Sequence, residues 1–208
     1  MTTTDLPLNT ATTLDEEVAR AELYGVLATA FYAPPTPQWL EDLRVAVTEA
    51  PTPGGFLQEP WQQWVGVARR LDAAQIADEF DALFGGVGKP EVALYGSHYL
   101  SGFLNEKPLA ALRGDLAELG LARGENLPET EDHVACVFEV MRYLIAGDDV
   151  AVANLTQQRR FFATHVQPWL PQLCDALAAH PKADFYAALA ELTRAFVSVE
   201  AQGFDMMA

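Results

Sequence analysis

Wherever hydrophobic residues are dense in this chain they return every three or four positions, and no stretch sustains a strict apolar–polar alternation. That periodicity allows helices and disfavours strands, and the prolines and glycines between the runs mark where each helix must stop. Thr13-Leu14-Asp15-Glu16 has the form of a capping box, and Tyr24, Leu27, Ala28 and Phe31 follow at i, i+3, i+4, i+7, up to Pro34-Pro35. Thr36-Pro37 then restarts the chain with an N-cap and an N1 proline, predicting a helix toward Ala50 before Pro51–Gly55 breaks it. Helices are expected over 59–70 and 72–84, the second with Ile76, Phe80, Leu83 and Phe84 on one face.

The glycine-rich stretch 85–96 reads as an ordered loop packed on the body through Val92, Leu94 and Tyr95. Ser97 is expected to cap a short helix, and Pro108 and Gly120 to bracket another. Beyond the link 121–129, helices are predicted over 130–146, 149–163, 168–179 and 183–201. The expectation is one all-α domain of about nine helices: a flexible N-terminus 1–13, an N-terminal lobe 14–120, a hinge 121–129 and a C-terminal lobe 130–208. No segment repeats at a fixed period.

Half of the 208 residues are hydrophobic, enough for a sizeable core. The 29 acidic and 13 basic residues leave a net charge of -16, which repels phosphate backbones and anionic lipid and favours basic ligands, so nucleic acid is disfavoured as a partner. Cys136 and Cys174 lie within apolar helical patterns, form no CxxC pair, and support neither a zinc site nor a disulfide framework. The Thr-rich start has neither a basic n-region nor an apolar h-region, and no apolar run reaches the roughly 18 residues that span a bilayer. A cytoplasmic protein, not embedded in the membrane and without a cofactor of its own, is expected.

Two constellations invite catalytic readings. Gly85-Gly86-Val87-Gly88-Lys89 resembles a phosphate loop, but Leu83 stands at the first motif glycine, Pro90 at the magnesium-binding Ser or Thr, and a helix precedes it in place of a strand. Asp132-His133 suggests paired metal ligands, but the order is the reverse of the phosphohydrolase His-Asp, and His98, His165 and His180 show no helix-face pairing with His133. A helical metal-dependent hydrolase or ligand-binding domain built on Asp132 and His133 stays as the alternative from another class.

Several separated patches together resemble a known family. Phe80-Asp81-Ala82-Leu83-Phe84 matches an aromatic-x-x-Leu-Phe motif, Tyr95-Gly96-Ser97-His98-Tyr99 a Tyr-x-Ser-x-Tyr pattern, and Glu129-Thr130-Glu131-Asp132-His133 a Glu-(Pro/Thr)-x-Asp-His motif. Phe161–Trp169 is similar to a Phe-x-x-x-His-x-x-Pro-Trp stretch, and Asp184-Phe185-Tyr186 to the start of a last helix. In this order, over residues 15 to 205, the chain resembles the TorD/DmsD family of molybdoenzyme-specific chaperones. Thr130 stands where proline is commoner, and the loop before Tyr95 lacks a frequent proline.

The resemblance implies an all-helical cytoplasmic protein that is not an enzyme. It would bind the twin-arginine leader and apoprotein of a molybdopterin-containing oxidoreductase, hold it for cofactor insertion, and release it for export, as a monomer or a domain-swapped dimer. The sibling nitrate reductase assembly chaperones are the nearest alternative, and no guanine-nucleotide site is recognisable. A receptor for adjacent guanidinium groups and an apolar run needs carboxylates beside an apolar groove. Glu129, Glu131 and Asp132 at the hinge are the candidate carboxylates, with His133 orienting Asp132 or reaching a leader carbonyl and Ser97 offering a hydroxyl. Tyr95, Tyr99, Phe80, Leu83 and Phe84 are the candidate apolar contacts, the two tyrosines ahead of the helical residues.

Overall fold

The computed structural model describes residues 10–46, 55–85, 89–104, 106–124 and 127–206, with side chains from Glu16 onward. These residues form ten α-helices and one π-helical turn, and among them there is no strand. The helices are α1 (Thr10–Tyr32), α2 (Pro37–Arg44), α3 (Gln58–Arg70), α4 (Ala73–Phe84), α5 (Gly96–Ser101), α6 (Lys107–Glu118), α7 (Val134–Ala146), α8 (Leu155–Phe161), α9 (Leu170–Ala178) and α10 (Phe185–Met206). The fold is all-α, as the periodicity requires. Outside the described residues lie the expected flexible start as far as residue 9, the C-terminal end of the helix predicted toward Ala50, and the centre of the phosphate-loop-like segment, 86–88.

The cap expected at Thr36 is present, and Asp72 supplies one that was not anticipated. Thr36 accepts the Trp39 amide at 3.2 Å with Pro37 at N1, and Asp72 and Gln75 close a reciprocal capping box. Other boundaries differ. The helix α1 already begins at Thr10, so Thr13 lies within it, and α2 ends at Arg44. The helix expected over 149–163 is α8, Leu155–Phe161, and α7 starts at Val134 in place of residue 130 because the Asp132 carbonyl and the Val134 amide are bonded to Gly96 and Leu94 at 2.9 and 2.8 Å. A backbone held in that bridge cannot enter the helical ladder.

The core is one continuous cluster drawn from both sides of the 121–129 link. The longest interface is between α1 and α7, and α10 packs against both α9 and α3. Tyr24 of α1 meets Phe138 of α7 and Phe196 of α10 at ring separations of 5.7 and 4.7 Å. Its hydroxyl donates to Glu200, whose carboxylate also takes both Nε and Nη2 of Arg20 at 2.7 and 2.8 Å. The first and last helices are thereby tied by a satisfied buried network.

Two carboxylates cap helices far from them in sequence. Glu79 of α4, buried, accepts the amides of Asp184, Phe185 and Tyr186 at 2.9, 3.1 and 2.8 Å and so closes the start of α10. Asp132 does the same for α5. Its Oδ2 accepts the Ser97 amide at 3.0 Å, and its Oδ1 the Thr130 hydroxyl at 2.6 Å. Ser97, expected to be the cap, sits inside the first turn of α5, while Tyr95 occupies the cap position without a side-chain bond.

Candidate functional site

The hinge segment and the 85–99 loop meet directly. Tyr95 and His133 form an isolated antiparallel bridge, and the Tyr95 hydroxyl donates to the Glu129 carboxylate. Burial, then the Glu129 hydrogen bond and charge, raise the Tyr95 phenol above its ordinary value, so it stays protonated and a donor. Tyr95, Ser97, Glu129, Asp132 and His133 are therefore one assembly. Its chemistry is largely internal. Asp132 is 4 % exposed with both oxygens engaged, and His133 is buried with Nδ1 accepting the Ala135 amide at 3.2 Å as the N-cap of α7. Burial lowers the His133 pKa against the opposing pull of Glu129 and Asp132, which favours the neutral ring that can accept. Among the described residues no group of three or more His, Cys, Asp or Glu side chains is placed to hold a metal ion.

The remaining predicted residues divide in two. Tyr99 stacks on Trp169, with centroids 5.8 Å apart and planes at 16°, and its hydroxyl donates to the Ala93 carbonyl. Gly96 is required there, since a Cβ on it would come within 3.0 Å of the Trp169 indole. Phe80, Leu83 and Phe84 pack on the core: Leu83 is fully buried, and the two phenylalanine rings, half-buried, lie edge-on to Tyr186.

Glu131 faces the other way. Its carboxylate pairs with Arg113, Nη2 at 2.8 Å and Nε at 2.9 Å. Burial pushes its pKa up, but the Arg113 hydrogen bond and charge outweigh this and hold it below its ordinary value. Glu131 also lines a groove of about 550 Å³. One wall is the end of α1, Tyr32 and Pro34-Pro35, with Trp39 of α2 beside them; Ala135, Cys136 and Val140 of α7 form the opposite wall, and Leu121 and Leu127 of the link close one side. The polar lining includes Glu131, Glu139 and Arg123, whose guanidinium is turned to the Leu127 and Glu129 carbonyls at 3.1 Å each. The His133 ring joins groove to hinge, lying edge-on to Tyr32 on one side and to Tyr95 on the other.

Sequence reading did not find this groove. Pro34-Pro35 signalled only a helix stop, and Cys136 only a buried apolar position; nothing local says that the end of α1, the 121–127 link and α7 converge. Cys136 is half-buried on the wall, its thiol pushed up to about 11 by burial and by Glu129, Glu131 and Asp132.

Comparison with known proteins gives two results. The family described as nitrate reductase delta subunit matches residues 55–175, more than half of the chain. Among curated proteins, the chain is 26% identical over 210 residues to the chaperone protein TorD of Aliivibrio fischeri, covering 93% of this chain and 97% of that one. It is 26% identical over 134 residues to TorD of Vibrio parahaemolyticus, 61% and 62% of the two chains, and 28% identical over 144 residues to TorD of Vibrio cholerae, 65% and 66%.

Proposed function

The chain belongs to the nitrate reductase delta subunit family, which includes the TorD-type chaperones, and from that premise we propose that it binds the twin-arginine leader of a molybdoenzyme in the groove between α1, the 121–127 link and α7. The observation that carries this reading is an apolar groove with two carboxylates in its wall, Glu131 and Glu139, on a chain of net charge -16. A leader's apolar run fits such a groove as an amphipathic helix, and its guanidinium groups pair bidentately with carboxylates. In this reading Glu131 and Glu139 contact the arginines. Asp132, His133, Glu129 and Tyr95 are positioning residues that hold the groove's hinge wall in shape. The protein acts in the cytoplasm by binding, holding the apoenzyme until its cofactor is in place.

Titration calorimetry with a synthetic peptide of two adjacent arginines followed by about 12 apolar residues tests the reading. Filling the groove with Ala33→Trp, at an exposed lining position, is expected to weaken binding by about tenfold or more. Glu131→Gln is expected to weaken it by about tenfold at low salt and by less at high salt, because partly exposed ion pairs are screened. Unchanged affinity in both variants would rule the groove out as the leader site.

A further inference from the structure

The groove does not end at Glu139. Thr29, Trp39 and Glu139 also line a second depression of about 590 Å³ that runs on along the seam between α1 and α7 as far as Ala146. Ala21 and Gly25 lie at its base, with Val18, Glu22 and Val26 on the α1 side. Arg142 lies across it: its Cδ is 3.1 Å from where a Gly25 Cβ would stand, and its Nε donates to Glu139 at 2.9 Å. Because Glu139 belongs to both depressions, this half-exposed ion pair sits at their junction.

We infer that the two depressions form one trough for a single basic, helix-forming client segment, and that the Arg142–Glu139 pair is a bar across it which the client displaces. The inference rests on the leader-binding reading and extends it. Charge complementarity supports the occupant, because Glu131, Glu139 and Glu22 succeed one another along the trough of a chain whose net charge is -16. Length supports it as well. The seam follows α7, whose 13 residues at the rise of an α-helix span about 20 Å, room for a client helix of about 13 residues. The first depression alone serves only about half of that. An exposed i,i+3 pair is weak in water, so the bar yields at little cost, and a client guanidinium can take the place of Arg142 on Glu139.

Calorimetry on the full chain with two peptides tests this, each beginning Arg-Arg, one continuing with about 7 apolar residues and the other with about 14. The longer peptide is expected to bind about tenfold tighter or better, from the additional apolar surface it buries. Arg142→Ala is expected to raise the affinity of both peptides by about two- to fivefold, since each carries the arginine pair that takes the place of Arg142 on Glu139. Ala146→Trp, at an exposed position of the second depression, should bring the longer peptide down to the affinity of the shorter. Equal binding of the two peptides to the wild type, or equal weakening of both by Ala146→Trp, overturns the trough. Unchanged or weaker binding of both peptides to Arg142→Ala overturns the bar. Binding of neither peptide instead overturns the leader-binding reading on which the inference stands.

Discussion

Replacing Asp132 by alanine separates two roles for the hinge acid, a contact for the client and a cap for the protein itself. The carboxylate is 4 % exposed and holds two hydrogen bonds, to the Ser97 amide at 3.0 Å and the Thr130 hydroxyl at 2.6 Å. Bonds to a charged acceptor contribute about 1.5 to 3 kcal/mol each, but their losses overlap because water or a shifted turn recovers part of them, so roughly 3 kcal/mol is expected in total. For a chain of this size that lowers the melting temperature by roughly 6 to 12 °C. Asp132→Asn keeps one acceptor and should lose about half as much. Thermal unfolding followed by circular dichroism measures the loss, and calorimetry at a temperature where both variants stay folded measures peptide affinity, expected to change by less than about threefold. A variant that melts within about 2 °C of the wild type yet loses peptide binding by about tenfold would refute the capping role and make Asp132 a client contact.

Two further perturbations follow from the buried groups. His133 is neutral when folded, its pKa held below the ordinary value by burial, so the unfolded chain takes up a proton first as the pH falls. Stability should therefore decrease from about pH 6.5 downward, by at most about 1.4 kcal/mol per pH unit from this residue, and His133→Asn, which keeps a cap, should flatten that part of a urea-denaturation pH profile. Glu79→Ala leaves three amides of the first turn of α10 without their carboxylate and should cost roughly 3 kcal/mol in urea unfolding, whereas Glu79→Gln, still an acceptor, should cost about 1 kcal/mol.

What was legible in the sequence was local or carried by motif order. The helices announced themselves through periodicity, and Thr36 could be read as a cap because its partner lies three residues away. Motif order singled out both the hinge acids and the Tyr95 segment, which the structure brings together in the Tyr95–His133 bridge. What stayed hidden depends on separations that periodicity does not encode: Asp132 caps a helix 35 residues away, and Glu79 one more than 100 residues away. The groove was hidden for the same reason, since its walls come from three segments, each of which reads alone as ordinary helix or link. The aromatic residues of α4, candidates for the client surface, face Tyr186 because α10 crosses there, a fact of tertiary packing.

The claim that a client leader lies in this groove is tested most directly by the alkylation rate of Cys136. Its thiol is half-buried on the groove wall with a pKa pushed up to about 11, while Cys174 is buried with a pKa pushed up to about 12, so Cys136 is the thiol that reacts in the folded protein. Iodoacetamide labelling at mildly alkaline pH, read by mass spectrometry, gives the rate with and without saturating twin-arginine peptide. Protection of Cys136 by about tenfold or more is expected when the peptide is bound. An unchanged rate under conditions where calorimetry shows the peptide bound would place the leader elsewhere on the protein and contradict the claim.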